Sequence, residues 1–105
     1  MLDDLDLSLT PEQSATILRE LIDLAIYYRY DAHTEYHQSS RWGSDSVSNT
    51  ECRGRGKAMN NAASSLENRI CQYLPERQHE LLRTFIAQEA QRQFDEAYGG
   101  DEAWG

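Results

Sequence analysis

Long apolar runs are absent from this 105-residue sequence, and no stretch approaches the roughly 18 to 20 apolar residues that a membrane-spanning helix needs. The first ten residues, MLDDLDLSLT, are acidic, whereas a secretory signal begins with basic residues. We therefore expect a cytoplasmic protein that does not bind membranes. Only two prolines and six glycines occur, which excludes fibrous and low-complexity classes. The length predicts one domain with one core.

Reactive side chains are also sparse. Cys52 and Cys71 are the only cysteines, and along one helix their spacing places them roughly 28 Å apart, too far for a disulfide. His33 and His37 have the i and i+4 spacing of two metal ligands, but no third ligand is spaced to complete a site. No serine or cysteine stands in the pattern of an activated nucleophile. We expect a non-enzymatic protein with no catalytic residues, metal or cofactor.

Positive charge is scarce, and only one segment of the chain has a net positive charge. Ten basic residues stand against 18 acidic residues, which gives a net charge of -8. Residues 41–57 are the exception, with a net charge of +2. An acidic chain repels DNA and anionic lipid, so we do not expect direct nucleic-acid binding.

The first helix is marked at its start by capping residues. Thr10 and Gln13 have the spacing of a capping box, and Pro11 occupies the first helical position, where proline is favoured. These signals predict a helix over residues 10–39, preceded by an acidic tail at residues 1–9. Its apolar face recurs at three- and four-residue intervals, at Leu18, Leu21, Ala25, Tyr28, Ala32 and Tyr36.

The second helix is predicted after a loop rich in Ser, Gly and Asp, which we place at residues 40–47. Ser48 and Glu51 have the spacing of another capping box and predict a helix over residues 48–74. Small residues occupy the first half of its apolar seam, which lets a neighbouring helix approach closely there. The seam comprises Cys52, Gly56, Met59, Ala63, Leu66, Ile70 and Tyr73.

The third helix is predicted over residues 75–98. Pro75 suits its first position, and Gly99 and Gly100 suit its end, because glycine commonly follows the last helical residue. Residues 99–105 would then form an acidic C-terminal tail. The buried face is predicted to comprise Leu82, Phe85, Ile86, Ala90, Phe94 and Ala97.

No strand pattern competes with these helices, so we expect an all-α protein whose three long helices form an antiparallel bundle. Three helices of this length bury only part of their apolar stripes within one chain. We therefore expect oligomerisation to complete the bundle, with a homo-oligomer as the assembled form.

The stretch ECRGRGKAMNN, residues 51–61, is the main candidate for a binding site. Its cations lie close to the positive end of the second helix, and residues three or four apart share a helical face. Phosphate is the ligand that such cations favour, and asparagine amides add directional hydrogen bonds. The cations could instead pair with acidic residues of the tails or of a partner chain. The candidate phosphate-binding residues are Arg53, Arg55, Lys57, Asn60 and Asn61.

Two glycines in this stretch admit more than one interpretation. Gly54 and Gly56 each cost a helix about 1 kcal/mol relative to alanine, which is tolerated where a neighbouring helix or a ligand must approach the backbone. If the helix instead begins near Gly56, CRGRG becomes an anion-binding turn. The spacing G-x-x-x-x-G-K-[ST] is absent, so nucleoside triphosphate hydrolysis is not expected.

The segment YYRYDAHTEYH, residues 27–37, is rich in aromatic and histidine side chains. Tyr27 and Tyr30 are candidates for stacking against nucleobases. The alternative is packing at a helix interface, with the hydroxyl groups reaching water.

The sequence ECRGRGKAMNNAASSLENRI, residues 51–70, resembles the helical-hairpin nucleotide sponges that phages use against Thoeris and CBASS immunity. An arginine-rich helix start, followed by small residues and LEN, carries the resemblance. It implies an oligomer that binds cyclic nucleotide signals, with Arg53 and Lys57 as phosphate contacts. The size and acidity are similar to those of other phage anti-defence proteins, including anti-CRISPRs.

Two functional hypotheses follow. In the first, the protein sequesters a small phosphate-bearing molecule such as a cyclic nucleotide. In the second, it inhibits a bacterial defence protein by direct contact, because its acidic ends imitate a polyanion. Neutralising the basic stretch would abolish the first activity and leave the second largely intact.

Overall fold

Helices form nearly all of the described protein. A computed structural model describes residues 8–40 and 47–104, and these contain no β-strand, which confirms the all-α class. The predicted tail at residues 1–9, apart from its last two residues, and most of the predicted loop at 40–47 lie outside this range. The elements in chain order are α1 (Pro11–Ser39), α2 (Val47–Cys71), a 3-10 helix (Glu76–Gln78) and α3 (His79–Trp104).

The start of α1 has the predicted cap. Thr10 Oγ1 accepts a hydrogen bond from the backbone N–H of Gln13 at 3.1 Å, and Gln13 Oε1 accepts one from the Thr10 N–H at 2.9 Å. Two of the N–H groups that a helix start leaves without partners are therefore satisfied. The capping box and the proline at the first helical position are both confirmed.

The bounds of α2 differ from the prediction at both ends. The helix begins at Val47, so Ser48 lies inside the first turn and does not cap it. It ends at Cys71 instead of residue 74. The N–H groups of Tyr73 and Leu74 bond to carbonyls three residues back, at 3.0 and 3.1 Å. This tighter winding ends the helix ahead of Pro75.

The third helix begins later and ends later than predicted. Pro75 has extended backbone geometry and precedes the 3-10 helix, so α3 proper begins at His79. The helix then continues through Gly99 and Gly100 to Trp104. A glycine cap requires a left-handed backbone conformation, and no described glycine adopts a positive φ. The predicted C-terminal tail is therefore helical as far as Trp104.

The main core forms where α1 meets both other helices. α1 contacts α2 and α3 extensively, whereas α2 and α3 share few contacts with each other. Ile70 and Ile86 are completely buried, and each such side chain stabilises the fold by about 1.5–3 kcal/mol. The buried cluster comprises Ala25, Ile26, Ile70, Cys71, Leu82, Ile86 and Ala90.

Four residues assigned to apolar or buried faces are exposed, and Tyr36 on α1, at 38% exposed, is one of them. Tyr73 is 75% exposed because α2 ends two residues before it and the tighter turn redirects it. Phe85 is 53% exposed, since α3 is covered by α1 on only one side. Ala97 is also exposed. The predicted apolar faces thus extended beyond the buried surface on all three helices.

Candidate functional site

A groove of about 320 Å³ opens where the end of α1 lies beside the start of α2. Asn49 helps to hold the two helices together here, because its buried Nδ2 donates a hydrogen bond to the Ser39 carbonyl oxygen at 2.7 Å. The groove is lined by Tyr36, Asn49, Thr50, Arg53, Gly54 and Lys57.

Two of the predicted phosphate-binding cations lie in this groove together. Arg53 and Lys57 are four residues apart on α2 and both are exposed, so their charged ends reach the same side of the helix. Neither makes an ion pair or side-chain hydrogen bond with another described residue. The groove is therefore a positive site on an acidic protein.

The two glycines of the basic stretch have different surroundings. A Cβ atom at Gly56 would lie 2.9 Å from Tyr36 Cε2, so this glycine allows the tyrosine ring to pack on α2. A Cβ atom at Gly54 would have no neighbour within 4 Å. The close approach of a helix accounts for Gly56, and no contact among the described residues accounts for Gly54.

Arg55 lies elsewhere. Its Nε donates to Glu35 Oε2 on α1 at 3.0 Å, and its Nη2 lies 3.3 Å from Cys52 Sγ. The hydrogen bond and charge of Glu35 raise the pKa of Arg55. These residues line a second groove of about 420 Å³. The structure thus does not bring Arg55 to Arg53 and Lys57, and Glu35 already pairs with it.

Of the two asparagines predicted to bind phosphate, Asn60 instead makes a contact between helices. Its Oδ1 accepts a hydrogen bond from Arg29 Nη1 at 3.1 Å. Arg29 also makes a two-pronged ion pair with the buried Glu67, at 3.0 and 3.1 Å, and donates to Ser64 Oγ at 3.0 Å. Asn61 is exposed one turn beyond Lys57 and lines neither groove.

The tyrosine in the groove is Tyr36, and neither predicted stacking residue lines it. Tyr27 is 55% exposed and lies near Tyr28, with 6.0 Å between the ring centres. Tyr30 packs against the main core. Sequence reasoning placed Tyr36 on an apolar face and missed its position beside Arg53. The short connection between α1 and α2 was the available signal, because it brings the end of one helix to the start of the next.

The two histidines of α1 belong to an aromatic cluster with α3. Phe94 lies 5.6 Å from the rings of both His33 and His37, and Tyr98 lies 4.8 Å from His37. Burial lowers the pKa of His33, and the nearby charge of Arg29 lowers it further. Within residues 8–40 and 47–104, no three His, Cys, Asp or Glu side chains are grouped to hold a metal ion.

Cys52 and Cys71 are both buried and free, as their spacing predicted. None of the described helices combines the length and apolar character needed to cross a membrane. Comparisons of the chain with protein-family models, curated proteins and solved structures give no match. The groove and the residues that line it are therefore the main indication of function.

Proposed function

We propose that this chain is a non-enzymatic binding protein that sequesters a small phosphate-bearing molecule in the groove between α1 and α2. Arg53 and Lys57 hold the phosphate, and Tyr36 contacts the sugar or base. A cyclic nucleotide immune signal is the ligand that the sponge resemblance favours, and a phage-encoded anti-defence role follows from it.

One observation carries this proposal. Arg53 and Lys57 share a concave surface and have no anionic partner among the described residues. Charge-assisted hydrogen bonds from two such cations favour a phosphate over a neutral ligand. The open space above Gly54 lets a ligand reach the α2 backbone. The volume of about 320 Å³ lies at the lower end of the range for small-molecule sites.

We also propose that the three helices form an antiparallel bundle that oligomerisation completes. Contacts between the first two helices support the antiparallel part, because Ser39 meets Asn49 whereas Arg29 meets Glu67. Earlier residues of α1 therefore contact later residues of α2, as in an antiparallel pair.

The test is thermal unfolding with a panel of cyclic dinucleotides, cyclic trinucleotides and cyclic ADP-ribose isomers. A ligand that binds only the folded protein stabilises it by about 2.7 kcal/mol at 100 times its Kd. We expect one class of ligand to raise the Tm of the wild type. Arg53→Ala and Lys57→Ala are expected to lose that rise. Arg69→Ala is the matched control, since it removes an exposed cation from the other end of the same helix.

Each result has a distinct meaning. A rise that persists in both groove variants places the ligand elsewhere and refutes the role of Arg53 and Lys57. No rise with any compound refutes sequestration of this ligand class. It would favour the alternative, an acidic inhibitor of a bacterial defence protein, which is then tested by direct binding to such proteins.

A further inference from the structure

Large apolar side chains are exposed at the end of the molecule opposite the groove. Tyr73 and Leu81 are 75% and 69% exposed, and Phe85, Leu9 and Ile17 are also exposed. We call these five residues the apolar end surface. They come from three segments that meet where α1 begins and α2 passes into α3.

Two depressions make this surface concave. One, of about 480 Å³, is lined mainly by the start of α1 and by Tyr73. The other, of about 240 Å³, includes Leu74, Leu81 and Phe85. Tyr73 and Leu74 are consecutive, so the depressions open on either side of the same turn. Both reach side chains of the main core, which means that an occupant would extend the core directly.

The exposed apolar area matches what a dimer needs. With about 200 Å² for a large side chain, the exposed fractions of the five residues amount to on the order of 500 Å². A standard interface buries about 800 Å² on each partner, and about 65% of it is apolar in homodimers, or about 520 Å². The largest apolar patch on a typical monomer is also of this size, and such a patch is often functional.

Local charge also permits a second copy to approach. Two chains of net charge -8 repel each other in general. The segments that form the apolar end surface, however, carry exposed charges of both signs, so that opposite charges of two copies can meet at the rim. These charges include Arg19, Arg69, Arg77, Glu20, Glu76 and Glu80.

We propose that the apolar end surface is the site where a second copy of this chain docks. The contact buries Tyr73, Leu81 and Phe85 against their counterparts and covers the side of α3 that α1 leaves open. The groove at the other end of α1 stays accessible in this arrangement. This proposal rests on the oligomerisation proposed above and not on the ligand, so its failure would leave the sequestration hypothesis intact.

Sedimentation equilibrium of the full chain, without ligand, tests the docking surface. We expect the wild type to reach twice the monomer mass of 12.1 kDa at micromolar concentrations. Leu81→Glu and Tyr73→Ser should each weaken the dimer at least tenfold while helicity stays unchanged in circular dichroism. Val47→Glu is the matched control, because Val47 is 73% exposed at the opposite end and the added charge is the same.

Three outcomes would overturn the proposal: a wild type that stays monomeric up to millimolar concentration, a dimer that survives both variants, or a dimer that Val47→Glu weakens equally. The uncharged Tyr73→Ser separates the loss of apolar area from added repulsion. Phe85→Ser replaces any variant that fails to fold, since Phe85 is 53% exposed.

Discussion

The cations of helices α1 and α2 occupy two different environments, one between the helices and one at an open groove. In the middle of the pair, Arg29 is 23% exposed and makes four hydrogen bonds to groups on α2, two of them to Glu67. Near the start of α2, Arg53 and Lys57 are exposed and have no ion-pair partner in the described part of the chain. Arg29 joins the two helices, whereas Arg53 and Lys57 face an open groove.

The two environments distinguish basic residues that hold the fold together from basic residues that remain available to a ligand. A buried carboxylate requires a partner, because an unpaired buried charge is costly. Arg29 satisfies Glu67 and is not free for a ligand. Exposed cations need no such partner because water solvates them, so Arg53 and Lys57 remain available to the anion proposed above.

The largest expected effect comes from removing the buried partner. Arg29→Ala leaves Glu67, only 5% exposed, without its cation, and should lower the free energy of unfolding by about 3–5 kcal/mol. Urea denaturation followed by circular dichroism measures this. A loss below about 1 kcal/mol would mean that solvent screens the pair as it does a surface pair.

The double variant Arg29→Leu, Glu67→Leu is the control for that experiment. Apolar replacement of both partners of a buried pair is often neutral or stabilising, so most of the loss should be recovered. Recovery would assign the loss to the unpaired charge of Glu67 and not to the packing of the Arg29 side chain.

Much of this fold could be predicted from local signals, but the sequence did not show which cations pair with other residues and which stay exposed. The cap at Thr10 and the core positions Ile70 and Ile86 follow from short-range spacing, which sequence records directly. The partner of Asn60 lies 31 residues away on another helix, and only the register of α1 against α2 reveals it. The end of α2 was misplaced because tighter winding before Pro75 leaves little trace in the apolar pattern.

The next effect compares the two glycines. Alanine at Gly54 meets no neighbouring atom and improves helix propensity, so Gly54→Ala should stabilise the protein by up to about 1 kcal/mol. Alanine at Gly56 places Cβ 2.9 Å from the Tyr36 ring and forces it to move. We expect Gly56→Ala to be less stable than Gly54→Ala by about 1–2 kcal/mol in urea denaturation.

Substitution at Gly54 also tests whether a ligand uses the space beside this residue. If a ligand approaches the backbone at Gly54, Gly54→Ala weakens its binding although it stabilises the protein. Isothermal titration with the ligand found in the thermal screen measures this. Unchanged affinity would show that the ligand does not use the space above Gly54.

A smaller effect is expected from His33, which lies one turn from Arg29 and contacts Phe94. Burial and the Arg29 charge hold its pKa below the ordinary 6.5, while Asp95 opposes them. The unfolded chain therefore binds a proton at His33 more readily than the folded chain does. The stability contributed by neutral His33 is fully present above pH 6.5 and is lost as pH falls through the folded pKa.

Proton NMR titration of the histidine rings checks the pKa of His33, and urea denaturation at several pH values checks the linkage. His33→Gln should remove this part of the pH dependence and leave the part due to carboxylates. An identical pH profile in the variant would show that His33 does not contribute.

The smallest stability effect is expected at the groove and completes the comparison with Arg29. Arg53→Ala and Lys57→Ala remove the same charge as Arg29→Ala, but from exposed positions without described partners, so each should change the free energy of unfolding by less than about 0.5 kcal/mol. Urea denaturation without ligand measures it. A loss of several kcal/mol would mean that these cations hold the fold together, and the groove would then be structural. A negligible loss together with lost ligand stabilisation would separate binding from folding at residues 53 and 57, because only the bound state would then depend on their charge.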